Sequence, residues 1–161
     1  MNQIYKRLKK MREKYIDTLA KLYDYATAVY SKKMYTQWYD TKEGSYTYSS
    51  FKNECDALSK VLTQYGIGAG DKVAILSTNM PNWSVAFFAT VVFGRISIPI
   101  LPDSSENEVT NILNHSESKV LFVAKKMLGK VSQDIMDKMT LVIELDTLEI
   151  IKADEEKFTC D

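Results

Sequence analysis

Residues 71–101 read DKVAILSTNMPNWSVAFFATVVFGRISIPIL, and this stretch holds one full unit of a repeating architecture. Val73 to Ser77 is a short apolar run of the kind found in strands buried on both faces. Asn79 and Pro81 stand where a helix should begin, Asn79 as its expected cap, and Trp83 to Phe93 continues the helix to Gly94. Ile96 to Leu101 is the next strand. The helix between them has no polar stripe: Trp83, Val85, Ala86, Phe87, Phe88, Ala89, Val91, Val92 and Phe93 surround it. A helix apolar all round must be covered all round. A unit of four strands has little left to cover its outer side, so a further layer is expected from elsewhere.

The same rhythm extends in both directions. Downstream, Ser105 and Glu108 form a capping box ahead of Val109, Ile112 and Leu113. Lys119 to Val123 reads as a third strand, Lys125 to Lys138 as a helix and Leu141 to Leu145 as a fourth strand. Strands alternating with helices predict right-handed crossovers and an α/β fold, a parallel sheet with helices on both faces. Upstream, Thr47 caps a helix whose apolar positions Phe51, Cys55, Leu58, Leu62 and Tyr65 recur at helical spacing, and Gly66 stops it. Met34 to Tyr39 and Tyr46 to Tyr48 flank the turn residues Thr41 to Ser45 as a small hairpin. Ile4, Leu8, Met11, Tyr15, Leu19, Leu22 and Ala26 trace one face of a leader helix, or of two in series. The chain divides into residues 1–45, leader helix and hairpin strand, and residues 46–161, the α/β part.

Composition narrows the function. Of 161 residues, 45% are apolar and 26% charged, in keeping with one globular unit, and the net charge is zero. A nucleic-acid partner therefore gets no support from bulk electrostatics. The charges are uneven: Lys6, Arg7, Lys9, Lys10, Arg12 and Lys14 face only Glu13 at the start, and the stretch from Glu144 onward is acidic. Flanking an apolar stripe, the basic residues of Met1 to Lys14 offer a weak contact with an anionic membrane surface. An ordinary solvated helix packed on its own domain is the favoured alternative. Cys55 and Cys160 have no metal-ligand spacing, and the start shows no apolar signal segment. A cytoplasmic, at most membrane-peripheral, setting is expected.

Few residues carry chemistry. Gly66, Gly68 and Gly70 follow a helix and open a strand, whereas a phosphate loop follows a strand and opens a helix, so they read as a helix stop and a tight turn. His115 lies near a helix end without partners that would make it a base. No catalytic residue and no metal ligand is assigned. In open parallel sheets ligands sit beyond the carboxyl ends of the strands. By position alone this selects Ser77, Thr78 and Asn79 after the first strand, Pro102 and Asp103 after the second, and Ala124 after the third. Asp103 is equally well placed as a turn residue.

From Tyr46 to Val123 the chain resembles the amino-terminal region of the AMP-forming adenylate-ligase superfamily, which includes acyl-CoA synthetases, luciferases and the adenylation domains of peptide synthetases. The carrying segments are Tyr46-Thr47-Tyr48, Tyr65 to Ile75 with its three glycines and Asp71, and Asn79 to Trp83. Phe93-Gly94-Arg95-Ile96-Ser97-Ile98-Pro99-Ile100, Pro102 with Ser104-Ser105, and Ile112 to Val123 follow in the same order, the last two most like the bacterial long-chain fatty-acid branch. Thr18 to Trp38 matches weakly. Ser50 stands where the family usually has an acid, which should weaken the cap, and Arg95 stands where a small apolar residue is usual, with no evident consequence.

The resemblance implies part of the large N-terminal domain of an acyl-adenylating enzyme. It also implies a parent protein that uses ATP, Mg²⁺ and CoA to turn a fatty acid into its acyl-CoA through an acyl-adenylate. The family's phosphate loop, adenine segment, ribose-binding Asp and catalytic Lys lie downstream of the residues matched here. No cofactor is therefore expected to bind this piece. Its expected partners are the remainder of the same polypeptide, the fatty acid of the parent and, as an alternative cover for the apolar helix, a second copy.

Overall fold

A computed structural model describes residues 16–38 and 44–159. The basic stretch Met1 to Lys14, Cys160 and the tip of the hairpin lie outside them. Helix α1 (Leu19–Val29) leads into a two-stranded antiparallel hairpin, β1 (Met34–Thr36) and β2 (Tyr46–Thr47), and β2 runs directly into α2 (Tyr48–Gln64). Then follow β3 (Lys72–Leu76), α3 (Pro81–Val91), β4 (Ile96–Ile100), α4 (Glu106–Ser116) and β5 (Val120–Val123). A 3₁₀ turn at Lys125–Lys130, helix α5 (Gln133–Lys138), β6 (Leu141–Glu144) and β7 (Ile150–Ala153) complete the main elements.

The sheet has the order β4-β3-β5-β6-β7, with β4, β3, β5 and β6 parallel and β7 antiparallel. The alternation of side chains along the three inner parallel strands builds two cores. Val73, Ile75, Val120, Phe122, Leu141 and Ile143 face α2 and α3, packing with Phe51, Leu62, Val85 and Ala89. Ala74, Leu76, Leu121, Val123 and Val142 face the other way, toward Val109 and Leu113 of α4 and Ile135 of α5. Both faces being covered, these strands carry continuous apolar runs, and each fully buried large side chain contributes about 1.5–3 kcal/mol. The expected α/β architecture with helices on both faces is the observed one.

Four local expectations are corrected. The sheet has a fifth strand: only the five residues 145–149 separate β6 from β7, too few for a parallel crossover, so the chain turns back as a hairpin. Leu148 makes that turn at φ 61°, its N–H donating to Glu144 O. The helix expected over 125–138 is interrupted, because Val131 is extended and Ser132 caps a new start through Ile135 N–H. Asn79 does not cap α3. The capping position is Met80, whose side chain makes no cap bond, and Pro81 fills the first turn, where a missing N–H costs nothing. Ser50 does not weaken the start of α2 either: its hydroxyl accepts from Thr47 N–H at 3.0 Å while Thr47 Oγ1 accepts from Ser50 N–H, a complete capping box without an acid.

Other local expectations are met. Gly66, at φ 72°, follows the last turn of α2, and Ile67 N–H and Gly66 N–H donate to Leu62 O and Thr63 O in the paired pattern of a left-handed helix stop. Ser105 and Glu108 form their capping box. On the edge strand β4, Ile96 N–H donates to Asp71 O, and alternation from there turns residues 97 and 99 outward. Pro99 thus lacks its N–H on the free edge, where no bond of the ladder is lost and pairing with a foreign strand is discouraged.

Helix α4 ends at Glu117, which takes the left-handed conformation at φ 53° with a side chain 79% exposed. Its ion pair with Lys72, at 3.3 Å in water, contributes little. Glu117→Gly is expected to raise the unfolding free energy by about 0.5–1 kcal/mol, the left-handed penalty of an L residue less the added chain entropy of glycine. A thermal melt of both forms checks this, and an unchanged or lower midpoint would contradict it.

Candidate functional site

The parallel register aligns Leu76 with Ile100 and with Val123, and Val123 with Glu144, so the carboxyl ends of four strands share one edge. From β3 the chain passes to α3 on one face, and from β5 it passes to the 3₁₀ turn and α5 on the other. The crevice of this sheet therefore opens between β3 and β5, at the reversal of strand order.

The positional candidates lie on this edge but do not converge on one point. Ser77 is buried, and its Oγ donates to Thr78 O at 2.8 Å. Thr78 is half-buried and Asn79 exposed. Asp103 is exposed in the turn after β4, closed by Ser104 N–H to Leu101 O. Ala124 is buried, its N–H donating to Leu76 O. The loop carrying Asp103 is held from across the edge, since the ammonium of Lys130 donates to Pro102 O at 2.7 Å and to Ser104 O at 2.8 Å.

The polar centre of the edge is instead Asn82, in the first turn of α3. Its Nδ2 donates to Leu145 O at 2.9 Å and Asp146 O at 3.0 Å, while its Oδ1 accepts from the Tyr46 hydroxyl at 2.6 Å. Two carbonyls on one side and a hydroxyl on the other fix the orientation of the amide. Asp146 in turn accepts Lys125 N–H on its carboxylate at 2.7 Å. Burial, with lesser help from Glu54 and Cys55, holds the Tyr46 hydroxyl above its ordinary range, so it stays a donor. One side chain thus joins the hairpin, α3 and the end of β6, and Asp146 carries the tie to the segment after β5.

Neither Asn82 nor Asp146 was among the positional candidates. Asp146 was within reach of the same rule, one residue beyond the fourth expected strand. Asn82 had no comparable signal, its partners lying 36, 63 and 64 residues away. His115 is exposed in the last turn of α4, and the three glycines serve a helix stop and turn, with Asp71 accepting from Gly68 N–H.

Arg95 has a consequence that its sequence context did not suggest. It is 5% exposed, and its Nε and two amino nitrogens donate to Ile67 O, Ser59 Oγ, Ala89 O, Ser59 O and Thr63 Oγ1. That cluster lies at the amino ends of the strands, opposite the crevice, and is structural.

Among the described residues no three His, Cys, Asp or Glu side chains are grouped to hold a metal ion, and no helix is long and apolar enough to cross a membrane. On the crevice edge Asn82, Asp146 and Lys130 are engaged with partners of the chain, whereas Asn79 and Asp103 are exposed.

Residues 20–160 match the family described as AMP-binding enzyme. The chain is 31% identical over 86 residues to the medium-chain fatty-acid–CoA ligase of Escherichia coli, which covers 52% of the chain and 15% of that ligase. It is 24% identical over 127 residues to long chain acyl-CoA synthetase 2 of Arabidopsis thaliana, covering 75% of the chain and 19% of that protein. The chain thus spans less than a fifth of the length of these relatives. In fold it is similar to the Mycobacterium tuberculosis fatty acyl CoA synthetase, with a TM-score of 0.70 at 24% identity over 80% of this chain and 26% of the other.

Proposed function

The chain belongs to the AMP-binding enzyme family, and from that premise we propose that it is the amino-terminal part of a long-chain fatty-acid–CoA ligase. In the parent, a fatty-acid carboxylate attacks ATP to form an acyl-adenylate and pyrophosphate, and CoA then displaces AMP to form the thioester. The observation that carries this reading is the match of residues 20–160 to the family, joined to relatives that are fatty-acid–CoA ligases. The long-chain assignment draws on the segment Ile112 to Val123 and on the plant relative.

In this reading the chain's residues supply a rigid frame. The sheet and the ties through Asn82, Asp146 and Lys130 hold the strand-end loops in fixed positions, against which the rest of the parent assembles its site. The outer side of α3 supports such a partner. Trp83 and Phe87 stack at 5.3 Å, and with Val91 they form a stripe spaced by four residues that remains only partly covered. The remainder of the polypeptide is the cover we assign to it.

Two measurements test the proposal. Calorimetry on the 161-residue chain is expected to show no ATP binding in the micromolar range, and micromolar binding would refute the scaffold role. The longer chain encoded by the continuing reading frame is expected to release AMP and form acyl-CoA from palmitate, ATP, Mg²⁺ and CoA. Failure to do so, or a stop codon after Asp161, would favour a non-catalytic α/β binding or assembly module instead.

A further inference from the structure

A groove of about 880 Å³ runs between α1, α2 and the chain just after α3. Ala20, Val92 and Phe93 give it apolar walls, and Asp24, Lys60 and Gln64 are among its polar groups. Phe93 leaves 40% of its surface open. This volume is in the range of clefts that enclose organic groups, and apolar walls among polar groups suit an amphipathic occupant.

Thr159 also lines the groove. Its N–H and its hydroxyl both donate to Gln64 O, at 2.7 and 3.1 Å, and the preceding Phe158 packs on Tyr65 with ring centroids 5.1 Å apart. The last turn of α2 and the segment after β7 are thereby pinned together, and the main chain stands in the groove wall at the last described residue. A ligand or a second copy entering here would share the space with whatever polypeptide follows. A segment already tethered at the wall closes only a short loop, and its effective concentration in the groove is high.

We infer that the groove between α1 and α2 is the docking site of the polypeptide segment that follows Asp161 in the parent. The inference rests on the proposal that this chain is the amino-terminal part of a longer ligase. The segment would place apolar side chains against Val92 and Phe93 and polar groups beside Asp24 and Lys60.

Cysteine labelling tests this. Cys55 is fully buried, and burial pushes its thiol up to about 12, so it stays silent toward maleimide. With Cys160→Ser removing the other thiol, Phe93→Cys and, separately, the exposed Lys60→Cys report on the groove. In the 161-residue chain both are expected to label freely, and in the longer chain at least about tenfold more slowly. Equal rates in the two chains, with acyl-CoA formation intact, would overturn the docking site and leave the ligase reading standing. Protection in a longer chain that forms no acyl-CoA would keep the docking site and remove the ligase reading. Labelling of the 161-residue chain that slows with protein concentration would assign the groove to a second copy, and a reading frame ending at Asp161 would remove the occupant; either overturns the inference.

Discussion

Arg95→Ala is expected to lower the unfolding free energy of the chain by about 3–5 kcal/mol, read as a drop in the urea midpoint at unchanged slope. A guanidinium has five N–H groups, and here the three nitrogens make five hydrogen bonds to acceptors on α2, on the turn at Ile67 and on α3. Removing the side chain leaves the carbonyls of Ile67 and Ala89 without this donor at a site only 5% exposed. An unpaired buried acceptor costs about 1–3 kcal/mol, and the stem of the arginine leaves a void as well. Burial works against the charge of Arg95, with Asp71 acting in its favour. Arg95→Lys is expected to recover only a minor part, because an ammonium cannot reproduce the planar fork. A loss below about 1 kcal/mol for Arg95→Ala would show that water replaces the fork and would remove its assigned role.

Arg95 also marks what could be read in the sequence and what could not. The features that were legible are set by near neighbours. The periodic apolar face of α2, the left-handed stop at Gly66, the Ser105–Glu108 box and the runs of β3, β5 and β6 all follow from residues within one element. The features that were missed are set across the fold. Arg95 finds Ser59 36 residues away, and Asn82 finds Leu145 63 residues away. Strand β7 lay hidden because Ile150–Ala153 is short and its antiparallel sense comes from a five-residue loop. Asn79 failed as a cap for a related reason: Pro81 already suits the first turn of α3, so no side-chain acceptor is required there. The strand-end rule selects one edge of the sheet but could not rank the residues on it, since rank depends on which side chains meet.

Those meetings give the second large effect. Asn82→Ala is expected to cost about 2–3 kcal/mol, since three hydrogen bonds of about 0.5–1.5 kcal/mol each are lost and the Tyr46 hydroxyl and Leu145 carbonyl lose their partner in a half-buried setting. Asn82→Asp is no remedy, because the carboxylate oxygen that replaces Nδ2 has no proton to donate and would set its lone pairs against the carbonyls of Leu145 and Asp146. Tyr46→Phe alone is expected to cost about 1 kcal/mol, and less in the Asn82→Ala background, where its acceptor is already gone. The cycle therefore separates the network from a packing defect at α3. Hydrogen exchange adds the position of the damage: the amides of Lys125, Leu145 and Leu148, which bond within and beside this edge, should exchange faster while those of β3 keep their protection. If the substitution instead lowered protection evenly over the whole sheet, Asn82 would be an ordinary contributor to the core. Local loosening would identify it as the residue that positions the strand ends, the part of this fold that the proposed function sets against the remainder of a ligase.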